Sequence, residues 1–137
     1  MSATQGERIN PAAQLGFQPG QVVQEFGFND DVDHELREAI QEATGQDLVN
    51  EDYADTVDAV LLWFRDNDGN VTDALLNSIA QREDGVVIWV LTPKAERDGY
   101  VAPSAISKAA KTAGLSQTKS VSIAKDWTGT RLVLPRR

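Results

Sequence analysis

Gly85-Val86-Val87-Ile88-Trp89-Val90-Leu91-Thr92-Pro93-Lys94 reads as a strand covered on both faces. Its apolar run lacks the polar alternation of a half-exposed strand, and the Pro-Lys pair stops it. Val57-Asp58-Ala59-Val60-Leu61-Leu62-Trp63-Phe64 is a second run of the same kind. Between the two, Asn70 is placed to cap a helix with Asp73 three positions on, and Val71, Leu75 and Ile79 supply its buried stripe. A strand-helix-strand unit of this kind belongs to α/β architecture.

Upstream, Pro19-Gly20 reverses the chain and Val22 to Phe26 forms a short strand. From Asp30 onward Val32, Leu36, Ala39, Ile40 and Ala43 mark an amphipathic helix that Gly45 ends. Residues 46–56 are acidic and weakly patterned, and read equally as a loop or a short strand. Downstream, Pro103 suits a first helical turn, and Ile106, Ala109, Ala110 and Ala113 form a small apolar stripe. Gly114 fits a left-handed cap, with Leu115 as its apolar contact. Val121 and Ile123, then Leu132 and Leu134, alternate with polar residues on either side of Asp126-Trp127-Thr128-Gly129, which predicts a closing antiparallel hairpin. The expected architecture is a single Rossmann-like three-layer α/β domain over 13–137. Its sheet is mostly parallel, with helices on both faces and a C-terminal antiparallel hairpin, and residues 1–12 form a flexible tail.

Leu15-Gly16…Pro19-Gly20, Gly85…Trp89…Pro93-Lys94, Gly114-Leu115 and Lys119-x-Val121…Trp127-Thr128-Gly129-x-Arg131-Leu132-Val133 resemble a bacterial family of small Rossmann-like proteins, domain of unknown function 3052. The likeness covers roughly residues 13–134 and is most specific in its C-terminal part. Thr92 stands where the family usually has an aromatic, and the acidic stretch from 30 to 58 is peculiar to this branch. The resemblance implies the fold and no established activity. The last helix and hairpin are similar to the end of methyltransferase folds.

The formal net charge of −8 conceals an asymmetry. Residues 1–93 hold 18 acidic side chains against 4 basic, whereas residues 94–137 hold 3 against 9. Between Glu25 and Asp58, 12 carboxylates face only Arg37. Such a surface repels phosphate backbones, so nucleic-acid binding is not expected. The acidic stretch is either a solvated face or a docking face for a basic protein partner, with Asp31, Glu35, Glu38 and Glu42 as its contact residues. The chain has no cysteine, which excludes disulfides and thiolate chemistry and makes the cytoplasm the natural compartment. No window is long and apolar enough for a membrane span.

The ten glycines include no Gly-x-Gly pair and no Gly-Lys, so neither a dinucleotide loop nor a P-loop is present. No cofactor, structural metal or catalytic residue is therefore predicted. His34 reads as a solvated side chain of an acidic helix. Asp66-Asn67-Asp68-Gly69-Asn70 fails as a calcium loop: aligning Gly69 with the invariant glycine puts Phe64 and Leu75 where carboxylates belong. The positive signal is topological, because open α/β sheets bind ligands beyond the carboxyl ends of their strands. Those ends carry Asn29 and Asp30, then Arg65, then Thr92 to Lys94, then Lys125, Asp126 and Trp127. Arg65, Lys94, Lys125, Asp126 and Trp127 are the predicted site for a small anion with a planar group on the indole, against the alternative that Trp127 simply closes the core. The function expected is a non-catalytic regulatory or protein-interaction protein; the alternative is a divergent methyltransferase-like small-molecule enzyme.

Overall fold

The computed structural model describes residues 12, 15–80 and 85–135. In chain order these form β1 (Val23–Phe26), α1 (His34–Thr44), β2 (Ala59–Trp63), a 3-10 turn (Asp66–Asp68), α2 (Val71–Ile79), β3 (Val87–Pro93), α3 (Pro103–Thr112), β4 (Ser116–Ser122) and β5 (Trp127–Val133). They build one five-stranded sheet in the order β1-β2-β3-β5-β4. Val60, Leu62, Ile88 and Val90 bury one face against Leu75 of α2 and Ile106, Ala109 and Ala110 of α3. Leu61, Trp63, Trp89 and Leu91 bury the other against Leu36 and Ile40 of α1, with Phe17 and Trp127. Helices thus lie on both faces, as the two non-alternating runs require. Ala12, assigned to the tail from sequence, is buried with Phe17, while residues 1–11 lie outside the described residues.

The expectation of a mostly parallel sheet is corrected. The β1·β2 and β2·β3 pairs are parallel, but β3·β5 and β4·β5 are antiparallel. The hairpin folds back so that its second strand, and not its first, pairs with β3. Burial decides this order. β5 carries buried Trp127, Gly129, Thr130 and Leu132, whereas β4 is Ser-Gln-Thr-Lys-Ser-Val-Ser and almost wholly exposed. The more apolar strand takes the interior place and the polar one, with Lys119 and a register shift beside it, makes a protected edge.

Local signals act as read. Asp33 Oδ1 accepts the Leu36 amide at 2.8 Å, which starts α1 at His34 instead of Asp30, and Asn70 Oδ1 accepts the Asp73 amide at 3.0 Å. After α3, Gly114 N donates to Lys111 O and Leu115 N to Ala110 O, the paired closure of a Schellman cap. The 46–56 segment is a loop that touches the sheet through one parallel bridge, Gln24 to Val49. Buried Gln24 fastens it, its amide donating to Asn50 O at 2.9 Å and Tyr53 O at 3.1 Å.

Candidate functional site

β1, β2 and β3 end at one edge of the sheet, and β5 begins there with Trp127 opposite Pro93. Arg65 follows β2 directly and turns back over the strand ends, where it is only 7% exposed. Its Nε donates to Asp31 Oδ2 at 3.0 Å and its Nη2 to Asp31 Oδ1; Nη1 donates to Gly27 O at 2.8 Å and Asp68 Oδ2 at 3.1 Å. The guanidinium lies 5.3 Å from the Trp127 ring, whose Nε1 donates to Asp31 O at 3.3 Å. Trp63 meets Trp127 edge-on at 4.8 Å and donates its Nε1 to Glu25 Oε2 at 2.8 Å. Glu25 in turn accepts Arg37 at two points, 2.7 and 2.9 Å. One connected set of charges and indoles therefore ties α1 to the ends of β1, β2 and β5.

The electrostatics follow from these contacts. The hydrogen bond from Arg65 holds the Asp31 carboxyl below its ordinary value, against a smaller opposing effect of burial. Burial alone would lower the Arg65 guanidinium, but its bonds to Asp31 and Asp68 outweigh that and raise it. The result is a fixed ion cluster with one cation and two carboxylates.

Of the predicted ligand-binding residues, the structure brings Arg65 and Trp127 into contact. Lys94 and Asp126 meet through backbone, Lys94 N donating to Asp126 O at 3.0 Å, and the Asp126 carboxylate lies 3.7 Å from Arg97. Lys125 sits apart, in a small groove with Asp33, Glu35, Leu36 and Ala39 of the α1 side. Every Arg65 donor group named above is already directed at a carboxylate or a carbonyl, so an anion arriving there would meet Asp31 and Asp68. Of the acidic candidates, Asp31 is held by Arg65, whereas Glu35, Glu38 and Glu42 line an exposed face of α1.

Sequence reasoning missed Glu25 as the partner of Arg37 and Trp63, and Glu51, whose Oε2 accepts the Gly27 amide at 2.9 Å. The available signal was a carboxylate in the middle of the short strand Val23-Gln24-Glu25-Phe26. Glu51 and Gly27 border a cleft of about 560 Å³ between the ends of β1 and β2 and the start of α2. Among the described residues, no group of three or more His, Cys, Asp or Glu side chains is arranged to hold a metal ion. Nor is any helix among them long and apolar enough to cross a membrane.

Residues 12–136 match the family described as "Protein of unknown function (DUF3052)". The chain belongs to the DUF3052 family. Uncharacterised proteins of Mycobacterium tuberculosis and Mycobacterium bovis are each 45% identical to it over 127 residues, 93% of this chain and 80% of theirs. Among solved structures, magnesium protoporphyrin IX methyltransferase from Synechocystis, with bound SAM, superposes with a TM-score of 0.53 at 12% identity, over 90% of this chain and 74% of the other. A SAM-dependent methyltransferase from Aquifex aeolicus gives a TM-score of 0.51 at 14% identity, over 97% and 94%. At such identities the likeness establishes a shared fold for this DUF3052 chain: a mixed α/β sheet related to Rossmann and methyltransferase architectures.

Proposed function

We propose that this DUF3052 protein is a non-catalytic regulatory or interaction protein that receives a partner with a basic surface on the exposed acidic face of α1. The observation carrying this reading is the division of the acidic segment. Glu25 and Asp31 are committed to Arg37 and Arg65, whereas Glu35 and Glu38 stand exposed three positions apart on the helix face that Glu42 continues. Like charges at these spacings destabilise a helix by about 0.2–0.5 kcal/mol per pair. Glu42 also lies in the last turn, which holds no basic residue and where the helix dipole disfavours an anion. Glu35 sits in the first turn, where the dipole favours an anion, so the unfavourable charge is that of Glu38 and Glu42, which a basic partner would neutralise. The test is association of a purified partner, found by crosslinking to the full chain, with the wild type and with the Glu35→Gln, Glu38→Gln, Glu42→Gln variant. Slower association for the variant, and steep weakening with salt for the wild type, support the reading. Indifference to both charge and salt would refute it.

A second reading, a divergent methyltransferase-like small-molecule enzyme, draws on the cleft at the carboxyl ends of β1 and β2, where open sheets take ligands. Against it stands the loop after β1, Gly27-Phe28-Asn29-Asp30, whose side chains hold a ligand away from the backbone. Calorimetric titration with S-adenosylmethionine separates the two readings: no saturable heat is expected, and micromolar binding would favour the enzyme.

A further inference from the structure

The 560 Å³ cleft beside α2 has a composition that selects a ligand class. Its volume falls within the roughly 300–1,000 Å³ of small-molecule sites. Phe26, Phe64 and Ala74 make an apolar floor continuous with the core cluster under α2 and α3. Glu51, Asp68 and Asp73 stand on its rim. Arg65 also borders the cleft, but its guanidinium is held by Asp31, Asp68 and the Gly27 carbonyl. The start of α2, which would otherwise favour an anion, is capped by Asn70 and carries Asp73 in its first turn. Among the described residues the Asp73 carboxylate has no hydrogen-bond or ion-pair partner. Two carboxylates beyond the one cation, above an apolar floor, disfavour phosphates and carboxylates and leave a neutral or cationic guest.

We propose that this cleft binds a small organic cation, an amine carrying an apolar or aromatic arm. The ammonium sits between Asp73 and Glu51, where charge-assisted hydrogen bonds replace its hydration, and the arm covers Phe26 and Ala74. The floor of the site belongs to the α2 side of the core, and none of Glu35, Glu38 and Glu42 lines the cleft, so it is tested separately from partner docking on the acidic helix.

The experiment is a backbone-amide NMR titration of the full chain with phenethylamine, with 2-phenylethanol and phenylacetate as neutral and anionic counterparts at matched ionic strength. The expected result is saturable shifts at Gly27, Asp73 and Asn77 with the amine, much weaker shifts with the alcohol and none with the acid. Asp73→Asn, which breaks no described contact of the carboxylate and loses only its favourable place at the helix start, should keep the melting temperature within a few degrees and weaken the amine about tenfold. Equal binding of the alcohol or acid, unchanged affinity in Asp73→Asn, or no amine-dependent shifts up to about 10 mM would each overturn the proposal.

Discussion

Arg65 and Asp31 form a two-point ion pair across the ends of β1 and β2, Nε to Oδ2 and Nη2 to Oδ1, although they lie 34 positions apart in the chain. The pair is asymmetric in exposure: the Arg65 side chain is 8% exposed and that of Asp31 47%. Removing the outer partner leaves the inner cation with Asp68 and the carbonyls of Gly27 and Trp63. Removing the planar fork of the inner one disrupts all of these at once.

Arg65→Lys should therefore destabilise the domain more than Asp31→Asn. About 1–2 kcal/mol is expected for the aspartate after discounting for its exposure, and about 3 kcal/mol for the arginine, whose planar donors a lysine cannot reproduce. Urea unfolding of the two variants checks the order; a larger loss for Asp31→Asn would contradict the inward role of Arg65.

The pair also predicts a pH dependence. The folded-state Asp31 carboxyl is held below its ordinary value near 3.8 by the Arg65 hydrogen bond. Its contribution is thus fully present above that value and disappears as pH falls through the lower folded one. Urea midpoints of the wild type and Asp31→Asn should differ near neutral pH and converge as the pH falls through the lowered folded-state value of Asp31. A gap that stayed constant or widened on acidification would show that the carboxylate charge is not the stabilising element.

The elements that the sequence made legible are those whose signals are local. Leu36 and Ile40 repeat at helical spacing, Asp33 and Asn70 cap their own chains, and Gly114 closes the helix just before it. The two apolar runs announced a covered sheet for the same reason. Strand order was not legible to that extent, because which hairpin strand meets β3 depends on burial competition between β4 and β5. The candidate site was legible only in location. Arg65 and Trp127 do meet at the strand ends, but the sign of the site depends on Asp31 and Asp68 turning toward Arg65, and composition cannot report a side chain's direction.

Gly27 is held by the same region. Its φ is +79°, and a Cβ there would lie 2.2 Å from the Trp63 carbonyl oxygen. Gly114 has a similar φ of +81° with nothing within 4 Å. Gly27→Ala should cost several kcal/mol because backbone must move, whereas Gly114→Ala should cost only the left-handed strain of about 1 kcal/mol. Thermal unfolding of both variants tests this, and equal losses would place the Gly27 turn elsewhere.

The indole of Trp127 separates a structural closure of the strand ends from an anion site. It is buried, packed edge-on against Trp63, covered by Arg65 and hydrogen-bonded to the Asp31 carbonyl. Trp127→Ala should cost about 3–5 kcal/mol through the emptied volume. Trp127→Phe keeps most of the apolar area but loses the hydrogen bond and part of the cation–π attraction, for about 1–2 kcal/mol. Lys94→Ala and Lys125→Ala, which break no side-chain hydrogen bond or ion pair among the described residues, should stay within about 0.5 kcal/mol. The decisive measurement is a double-mutant cycle between Trp127→Phe and Arg65→Lys. A coupling of about 0.5–2 kcal/mol is expected, because the ring and the guanidinium contact each other and share Asp31. Additive losses would mean that Trp127 fills the core independently of Arg65, and the ion cluster would then owe nothing to the hairpin that delivers the indole.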